Sequence, residues 1–373
     1  MIRVFLACPG LGQVKRGFES FTQECFDALQ ADGSLDITLF KGAGELGAKE
    51  VALWNLARDG WAATQLGKAA GRDGHFIEQS SFFLSLLPHI YDCRPHVIYF
   101  SDGALGNLLW HWRRLARQKF KLLYSNGGPL SPSYIHRMDH AQQVAPTHLQ
   151  AALDIGVPRE KQSLLPYGIK NSPNKPLNSA ELCALRGELR LPENRSVLLS
   201  VGAINKSHKR MDYVIHEVAS LPEPRPYLLL LGQLETESPE LIQLGHRLLD
   251  KPNFDVRTVR YDQIADYYRA SDLFILASLG EGFGRVFLEA MSYGLPCIAH
   301  DCEITRFVLG EDGCLRDLSL PENLAQAISE QLLEDQQESK RYSRQKSVYE
   351  RFSWEKLLPH YLEMIKTCAG IVS

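Results

Sequence analysis

The sequence predicts an α/β protein built on doubly wound parallel sheets, and three observations predict this class. Short apolar runs recur along the chain, as at residues 4–7, 227–231 and 273–277, and each has the length of a buried strand. Segments with helical spacing separate these runs, and strands that alternate with helices form parallel sheets. The 373 residues are enough for two domains of ordinary size.

Composition and charge exclude several classes of protein. The formal net charge is −3, which gives no basis for nucleic-acid binding, and no apolar run approaches the length of a membrane span. Residues 1–10 contain too short an apolar core for a signal peptide and are interpreted as a first buried strand. The eight cysteines are scattered without a C-x-x-C pair, so we expect a cytoplasmic protein with neither a disulfide framework nor a zinc site.

The amino-terminal half shows the alternation of strands and helices in order. Strands are expected at residues 4–7, 37–40, 96–100 and 121–124, and helices at residues 18–29 and 105–118. Segment 49–88 shows only helical patches, and residues 143–148 are expected to begin a further strand and turn. The basic, aromatic run 110–121 is interpreted as a helix end with core tryptophans. Peripheral contact with an anionic membrane is the alternative, and it is not favoured.

Polar residues at strand ends are the first candidates for a binding site, because ligands of such sheets lie beyond the carboxyl ends of the strands. Asp102 follows the strand at 96–100, and residues 126–128 follow the next strand. Asp102 is expected either to contact an acceptor or donor or to form the turn at the strand end. His136 and His140 have no spacing that indicates a metal site.

The clearest chemistry lies in a strand–turn–helix unit of the second half. A Gly-rich turn at residues 280–284 leads into a helix at 285–293. Glu281 lies in the turn and Glu289 in the helix, and the first amides of the helix favour an anion. This arrangement offers a phosphate site with a hydroxyl-binding carboxylate on each side, which matches a nucleotide-sugar. The alternative is that Glu281 caps the helix and Glu289 lies on a solvated face.

The stretch resembles the E-x7-E region of retaining glycosyltransferases of the GT-B type (glycosyltransferase family 4, "glycosyl transferases group 1"). The matching positions are Asp272, Ser278, 281–284, 289–291 and 294–296. The resemblance implies a GT-B fold with two Rossmann-like domains and an interdomain cleft. It divides the chain into an acceptor-side domain at 1–168, a donor-binding domain at 169–352, and a closing helix at 353–373 that packs back on the first domain.

The resemblance also assigns donor-binding residues. They are Gly17, Gly202, Lys209, Gly232, Glu281, Gly282, Phe283, Gly284, Arg285 and Glu289. The sequence departs from the family at three positions. Arg16 replaces the first of two glycines before the first helix, and Ala203 replaces an arginine that contacts the pyrophosphate in the family. Lys206, His208, Arg210 or Arg285 could supply the missing charge, or the donor site is weaker. A third departure is Ser101, which stands where many members carry a histidine.

The implied activity is a hexosyltransferase reaction that moves a sugar from a UDP- or GDP-linked donor to an acceptor hydroxyl, with retention and without a metal or other cofactor. Glu281, Asp102 and Lys209 are the expected catalytic residues, and no covalent nucleophile is assigned. The acceptor, whether a saccharide, a lipid-linked molecule or a small molecule, is not indicated. The alternatives are an epimerase or phosphorylase of the same architecture, or a nucleotide-sugar binder without activity.

Overall fold

The computed structural model describes residues 1–14, 17–128, 132–170, 177–334 and 338–371. These residues fall into two compact units. The first unit comprises Met1–Lys170 and Trp354–Ser373, and the second unit comprises Asn171–Ser353. Each unit contains one sheet.

A parallel sheet forms the centre of the first unit. Its strands are β1 (Ile2–Cys8), β2 (Leu35–Lys41), β3 (Glu50–Ala52), β4 (Val97–Phe100), β5 (Lys121–Asn126), β6 (His140–Gln143) and β7 (Gln162–Leu164). They lie in the order β3-β2-β1-β4-β5-β6-β7, and each pairing is parallel. The strand order reverses between β1 and β4, so the sheet has its ligand-binding switch point at the carboxyl ends of these two strands.

Helices pack against this sheet because its central strands, such as β4 with the sequence Val97-Ile-Tyr-Phe100, are apolar and buried on both faces. The helices are α1 (Gly17–Asp32), α2 (Trp61–Ala69), α3 (Gly74–Cys93), α4 (Gly103–Leu115), α5 (Pro132–Ile135), α6 (Pro146–Asp154) and α15 (Trp354–Ala369). Helices α3 and α4 share a core cluster with β1, β4 and β5, through buried residues such as Phe82, Leu109 and Ile98. Trp110 and Trp112 are partly buried against this cluster.

The second unit repeats the architecture. Its strands are β8 (Val197–Val201), β9 (Tyr227–Leu231), β10 (Phe254–Arg257), β11 (Leu273–Leu276), β12 (Cys297–His300) and β13 (Gly313–Arg316). Its helices are α7 (Ser179–Glu188), α8 (Met211–Ala219), α9 (Ser238–Leu248), α10 (Ile264–Ala270), α11 (Arg285–Ser292), α12 (Glu303–Leu309), α13 (Asn323–Glu334) and α14 (Glu338–Phe352). The parallel order β10-β9-β8-β11-β12-β13 is that of a Rossmann sheet, and its switch point lies between β8 and β11.

The α/β class with two doubly wound parallel sheets is therefore confirmed, with two local differences. Segment 49–88 contains strand β3, helix α2 and most of helix α3, which holds Pro88 inside it. The expectation that residues 143–148 begin a strand is wrong, because β6 ends at Gln143 and α6 begins at Pro146. Within the described ranges, no helix combines the length and apolar character that crossing a membrane requires.

Candidate functional site

The carboxyl ends of β8 and β9 in the second unit approach each other too closely for side chains. A Cβ atom on Gly232 would lie 1.6 Å from the carbonyl oxygen of Gly202, so this position requires glycine. The amide of Gly202 donates to the carbonyl of Leu231, and the amide of Gly232 donates to that of Arg257. The two predicted glycines therefore form a tight backbone edge at the switch point.

Lys209 is held at this edge by the loop that follows β8. Asn205 Oδ1 accepts hydrogen bonds from the amides of His208 (3.2 Å) and Lys209 (2.7 Å). The lysine stem lies over Gly202, where an added Cβ would be 3.2 Å from Lys209 Cε. Lys209 Nζ lies 2.6 Å from Glu281 Oε1, and the two side chains are only 15% and 10% exposed. The fold thus joins two predicted site residues that are far apart in the sequence.

The Gly-rich turn presents backbone at the start of α11. Gly284 is the residue before the helix and has φ +77°, a left-handed conformation that favours glycine. As a glycine, Gly284 makes no side-chain cap at the helix start. The ring of Phe283 is 4% exposed and contacts Phe352 at a centroid distance of 6.1 Å. Phe283 therefore faces the site with its backbone, as Gly282 does, and Glu281 binds Lys209 instead of capping the helix.

Glu289 is not on a solvated face, because its side chain is 14% exposed and hydrogen-bonded. The hydroxyl of Tyr268 donates to Glu289 Oε2 at 3.0 Å, and Arg285 Nε lies 4.0 Å from Glu289 Oε1. The ring of Tyr268 stacks on Tyr293 with centroids 5.8 Å apart. Burial raises the pKa of Tyr293, and the Glu289 carboxylate raises it further. Glu289 thus lies partly buried beside Tyr268 of α10 and Arg285 of α11.

Three of the four candidates for the charge missing at Ala203, namely Lys206, Arg210 and Arg285, have other partners. Lys206 pairs with Glu240 at 2.6 Å on the exposed surface. The Arg210 guanidinium donates to the carbonyls of Ala277 (3.3 Å) and Leu318 (2.6 Å). His208 is exposed, and Arg285 is 5% exposed beside Glu289. Lys209 is therefore the cation that the structure places directly at the Gly202 edge.

The predicted residues of the first unit lie at its own switch point. Gly17 is the first residue of α1 and is exposed, whereas Arg16 lies outside the described residues. The hydroxyl of Ser101 donates to the carbonyl of Ser125 at 2.9 Å, so it stabilises the end of β4. Asp102 follows Ser101 and lies 3.3 Å from the imidazole of His75.

Sequence reasoning missed Asn205, Tyr268 and His75. Asn205 could have been found, because an Asn four residues before a site lysine, in a loop, is typical of a side chain that organises a turn. Tyr268 and His75 carry no such signal, since each meets its partner only in the folded chain. Ser278, which belongs to the matching motif, has a buried hydroxyl without a hydrogen-bond partner among the described residues.

Among the described residues, no three His, Cys, Asp or Glu side chains lie close enough together to hold a metal ion. The site of the second unit consists instead of one lysine, two glutamates, a glycine edge and a helix start. Such a set can bind phosphate through Lys209 and the amides, and hydroxyl groups through Glu281 and Glu289.

The chain is similar in sequence to known glycosyltransferases. Residues 195–335 match the model of the family described as Glycosyl transferases group 1. The α-galactosylglucosyldiacylglycerol synthase of Streptococcus pneumoniae is 25% identical over 247 residues, which are 64% of each chain. The matches to the first curated relatives span 64%, 48% and 47% of those proteins' lengths.

Solved structures match over the whole chain and share its fold. Sucrose-phosphate synthase from Thermosynechococcus elongatus superposes with a TM-score of 0.81 at 17% identity, and the match covers 100% of both chains. HepE from Anabaena, solved in complex with UDP-glucose, gives a TM-score of 0.76 at 18% identity over 98% of this chain and 100% of HepE.

Proposed function

We propose that the chain is a GT-B glycosyltransferase of group 1, since residues 195–335 match the model of that family, and that it moves a hexose from a nucleotide-sugar to an acceptor hydroxyl with retention. The donor binds the second unit. No cofactor or metal takes part in the proposed reaction. The acceptor is a hydroxyl-bearing molecule whose identity the site of the second unit does not determine.

Each polar group of the second unit has one role in this proposal. Glu289, fixed by Tyr268, accepts hydrogen bonds from the ribose hydroxyls. Lys209 binds the pyrophosphate, together with the amides at the start of α11. Glu281 and the backbone of the Gly-rich turn bind the hydroxyls of the sugar that is transferred.

One observation carries the proposal. Lys209 and Glu281 lie 2.6 Å apart at the carboxyl edge where a Rossmann sheet binds nucleotides, although 72 residues separate them in the chain. A lysine used only for solubility or a glutamate used only as a helix cap would not be buried in this pair. The pair also supports a donor over a bare nucleotide, because it supplies both a phosphate-binding and a hydroxyl-binding group.

In this proposal, positive charge stabilises the leaving group in the transition state. Negative charge develops on the departing diphosphate, and the Lys209 ammonium and the helix amides stabilise it. The departing phosphate takes the proton of the acceptor hydroxyl on the same face, so the configuration is retained without a protein nucleophile. Mass spectrometry that trapped a glycosylated Asp102 would contradict this mechanism.

Two further observations bear on the location of the reaction and on the base of the donor. All eight cysteines are free, which suits a reducing cytoplasm. Because the HepE structure holds UDP-glucose, uridine donors are the first to test. We therefore place the reaction in the cytoplasm and begin with UDP-sugars, while GDP- and ADP-sugars remain in the panel.

Thermal stabilisation by nucleotides tests the donor site. The melting temperatures of the wild type and of the Glu289→Ala variant are measured without ligand and with UDP, GDP, ADP and their common sugar conjugates. A ligand at 100 times its dissociation constant adds about 2.7 kcal/mol of stability, which is readily measured. One base family should raise the melting temperature of the wild type, and Glu289→Ala should abolish that rise.

The control is Glu188→Ala, which removes an exposed carboxylate of α7 in the same unit and should keep the full effect. If no nucleotide stabilises the wild type, the donor site is not functional and the proposal is wrong. If nucleotides bind but no acceptor is ever glycosylated, the protein is a binder and not a transferase. Turnover that needs phosphate, or an epimerised donor, would identify the other two alternatives.

A further inference from the structure

Asp102 occupies the N-cap position of α4 but does not cap it. An N-cap aspartate normally accepts a hydrogen bond from the amide two or three residues later. Here the amide of Leu105, three residues on, donates to Gln79 Oε1 at 2.9 Å instead, and no side-chain cap of α4 is formed by Asp102. The turn therefore does not need the Asp102 carboxylate, which disfavours the turn-forming interpretation of this residue.

The carboxylate faces an imidazole from another helix. His75 lies in the first turn of α3, and its Nε2 atom is 3.3 Å from Asp102 Oδ1 and 2.8 Å from Gln79 Nε2. Since Gln79 Oε1 accepts from Leu105, Gln79 Nε2 must be the donor toward His75. A neutral His75 thus accepts at Nε2 and carries its proton on Nδ1, whereas a protonated His75 can donate from Nε2 to Asp102.

The pair is reachable by a ligand, but its support is buried. The Asp102 and His75 side chains are 14% and 43% exposed, whereas Gln79 and Glu78 on the same helix are 2% and 0% exposed. Glu78 binds the guanidinium of Arg58 at 2.6 Å. One face of α3 therefore fixes the pair at the carboxyl edge of β4, next to the switch point of the first sheet.

The local charge indicates the class of ligand. Arg58 is shared by Glu78 and by Glu19, which lies 3.9 Å away, so two buried carboxylates already face this guanidinium. Asp102 adds a third carboxylate nearby. Beside these carboxylates, a neutral hydroxyl can donate to Asp102 in a charge-assisted hydrogen bond.

We propose that Asp102 and His75 form a hydroxyl-binding pair for a polyhydroxylated acceptor. Asp102 contacts the acceptor hydroxyl, and His75 is a positioning residue that, when protonated, holds the carboxylate by donating to it from Nε2. The inference rests on the proposed transferase function for its biological meaning. The geometry of the pair and its separation from helix capping can be tested without any turnover.

Melting temperatures test whether Asp102 is free of the capping role. Asp73 is the matched control, since it caps α3 by accepting from the amide of Phe76 at 2.9 Å. Asp73→Ala should lower the melting temperature, because it removes a cap. Asp102→Ala should leave it unchanged. An equal drop in both variants would show that Asp102 is a structural cap and would overturn the proposal.

The ring nitrogens of His75 provide a spectroscopic test. ¹⁵N NMR of histidine rings, assigned with His75→Asn, should show the Nδ1–H tautomer in the neutral state. Gln79→Glu replaces the donor with an acceptor and should convert the ring to the Nε2–H tautomer. A wild-type ring already in the Nε2–H form would contradict the arrangement.

Acceptor kinetics test the role itself. The wild type is assayed with the nucleotide-sugar that stabilises it and a panel of methyl glycosides, and His75→Asn and Asp102→Asn are compared on the best of these acceptors. We expect kcat/KM for the glycoside to fall about tenfold or more, as for loss of a charged hydrogen bond, with the dissociation constant of the donor unchanged within about twofold. The control is His89→Asn, whose ring packs on Phe40 farther along α3.

The outcomes separate the two proposals. Unchanged kinetics in both variants, with active wild type, would overturn the hydroxyl-binding pair and leave the transferase function intact. If the wild type uses no nucleotide-sugar, the transferase function fails. The pair is then judged by whether the glycosides shift the His75 ring signals, and no shift at saturating glycoside would overturn it.

Discussion

At the scale of single residues, the ion pair of Lys209 with Glu281 should affect the affinity for the proposed donor. The ammonium is 2.6 Å from the carboxylate, and both side chains are largely buried. A diphosphate that binds Lys209 must therefore compete with Glu281 for the same cation, and it must also approach a negative group. A donor sugar offsets this cost, because its hydroxyls give Glu281 new hydrogen-bond partners.

Glu281→Gln should consequently bind a free nucleoside diphosphate more tightly than the wild type does. Removing the competing charge should lower the dissociation constant of the diphosphate several-fold, by about 1 kcal/mol. The sugar conjugate should gain less, because the neutral amide binds hydroxyls more weakly than a carboxylate. Isothermal titration with both ligands measures this change in preference. Weaker diphosphate binding by the variant would show that Glu281 does not compete for Lys209.

Tyr268→Phe tests whether Tyr268 positions Glu289. The substitution removes the hydroxyl that donates to Glu289 Oε2 but keeps the ring that stacks on Tyr293. We expect nucleotide affinity to fall about fivefold, the effect of one lost hydrogen bond near 1 kcal/mol. Tyr267→Phe, on the same helix, is the control. Equal nucleotide affinities in the wild type and both variants would show that Tyr268 does not position Glu289 for nucleotide binding.

The part of the site that the sequence could predict is the part held by local structure. Glu281 and Glu289 belong to one turn and one helix, so their spacing alone brings them to the same region. The assignment of Lys209 came from family resemblance. His75 and Tyr268 were not predictable, because His75 meets Asp102 across 27 residues and Tyr268 meets Glu289 across 21, and neither spacing is a helical or strand period.

At the scale of elements, strand β6 shows why one part of the fold was not predicted. Its sequence His140-Ala-Gln-Gln143 is buried throughout, yet three of its four residues are polar. Hydrogen bonds satisfy them, as between Gln143 Nε2 and Gln162 Oε1 at 2.7 Å. A search for apolar runs finds β1, β9 and β11 but passes over β6. Helix α3 was missed for another reason, since Pro88 usually ends a helix.

Burial of His140 in β6 should make the first unit sensitive to acid. Its ring contacts Ser163 Oγ at 2.8 Å, and burial, with a smaller effect of Arg159, lowers the pKa of His140 to about 4. The unfolded chain binds a proton near pH 6.5 while the folded chain does not, so stability falls as the pH drops from about 6.5 to about 4. The full loss is about 3 kcal/mol.

His140→Gln should reduce this acid loss, although it lowers stability at neutral pH. Urea unfolding between pH 4 and pH 7.5 gives the slope of stability against pH for each protein. His136→Gln is the control, because it removes an exposed histidine of the same unit. An identical slope in the wild type and in His140→Gln would show that His140 titrates normally.

At the scale of the whole molecule, the chain leaves the first unit near residue 170 and returns to it at residue 354. Hydrogen bonds to Glu24 hold the chain at both crossings, at Lys170 and at Trp354. Glu24 Oε2 accepts from the amide of Lys170 (3.0 Å) and from Trp354 Nε1 (3.3 Å). The Trp354 ring covers Gly168, where a Cβ atom would lie 2.5 Å from Cε2. Tyr361 adds a hydrogen bond from its hydroxyl to the carbonyl of Pro166 at 2.8 Å.

Trp354→Ala should therefore destabilise one unit only. The ring is 7% exposed, and replacing a buried aromatic side chain with alanine costs about 3–5 kcal/mol. Calorimetry in the presence of a nucleotide separates the two units, because ligand binding raises the transition of the second unit. We expect the transition of the first unit to move to lower temperature while that of the second unit stays in place. Trp61→Ala, at a side chain 79% exposed, should move neither. A shift of both transitions in Trp354→Ala would mean that helix α15 stabilises the second unit as well, contrary to its contacts within the first.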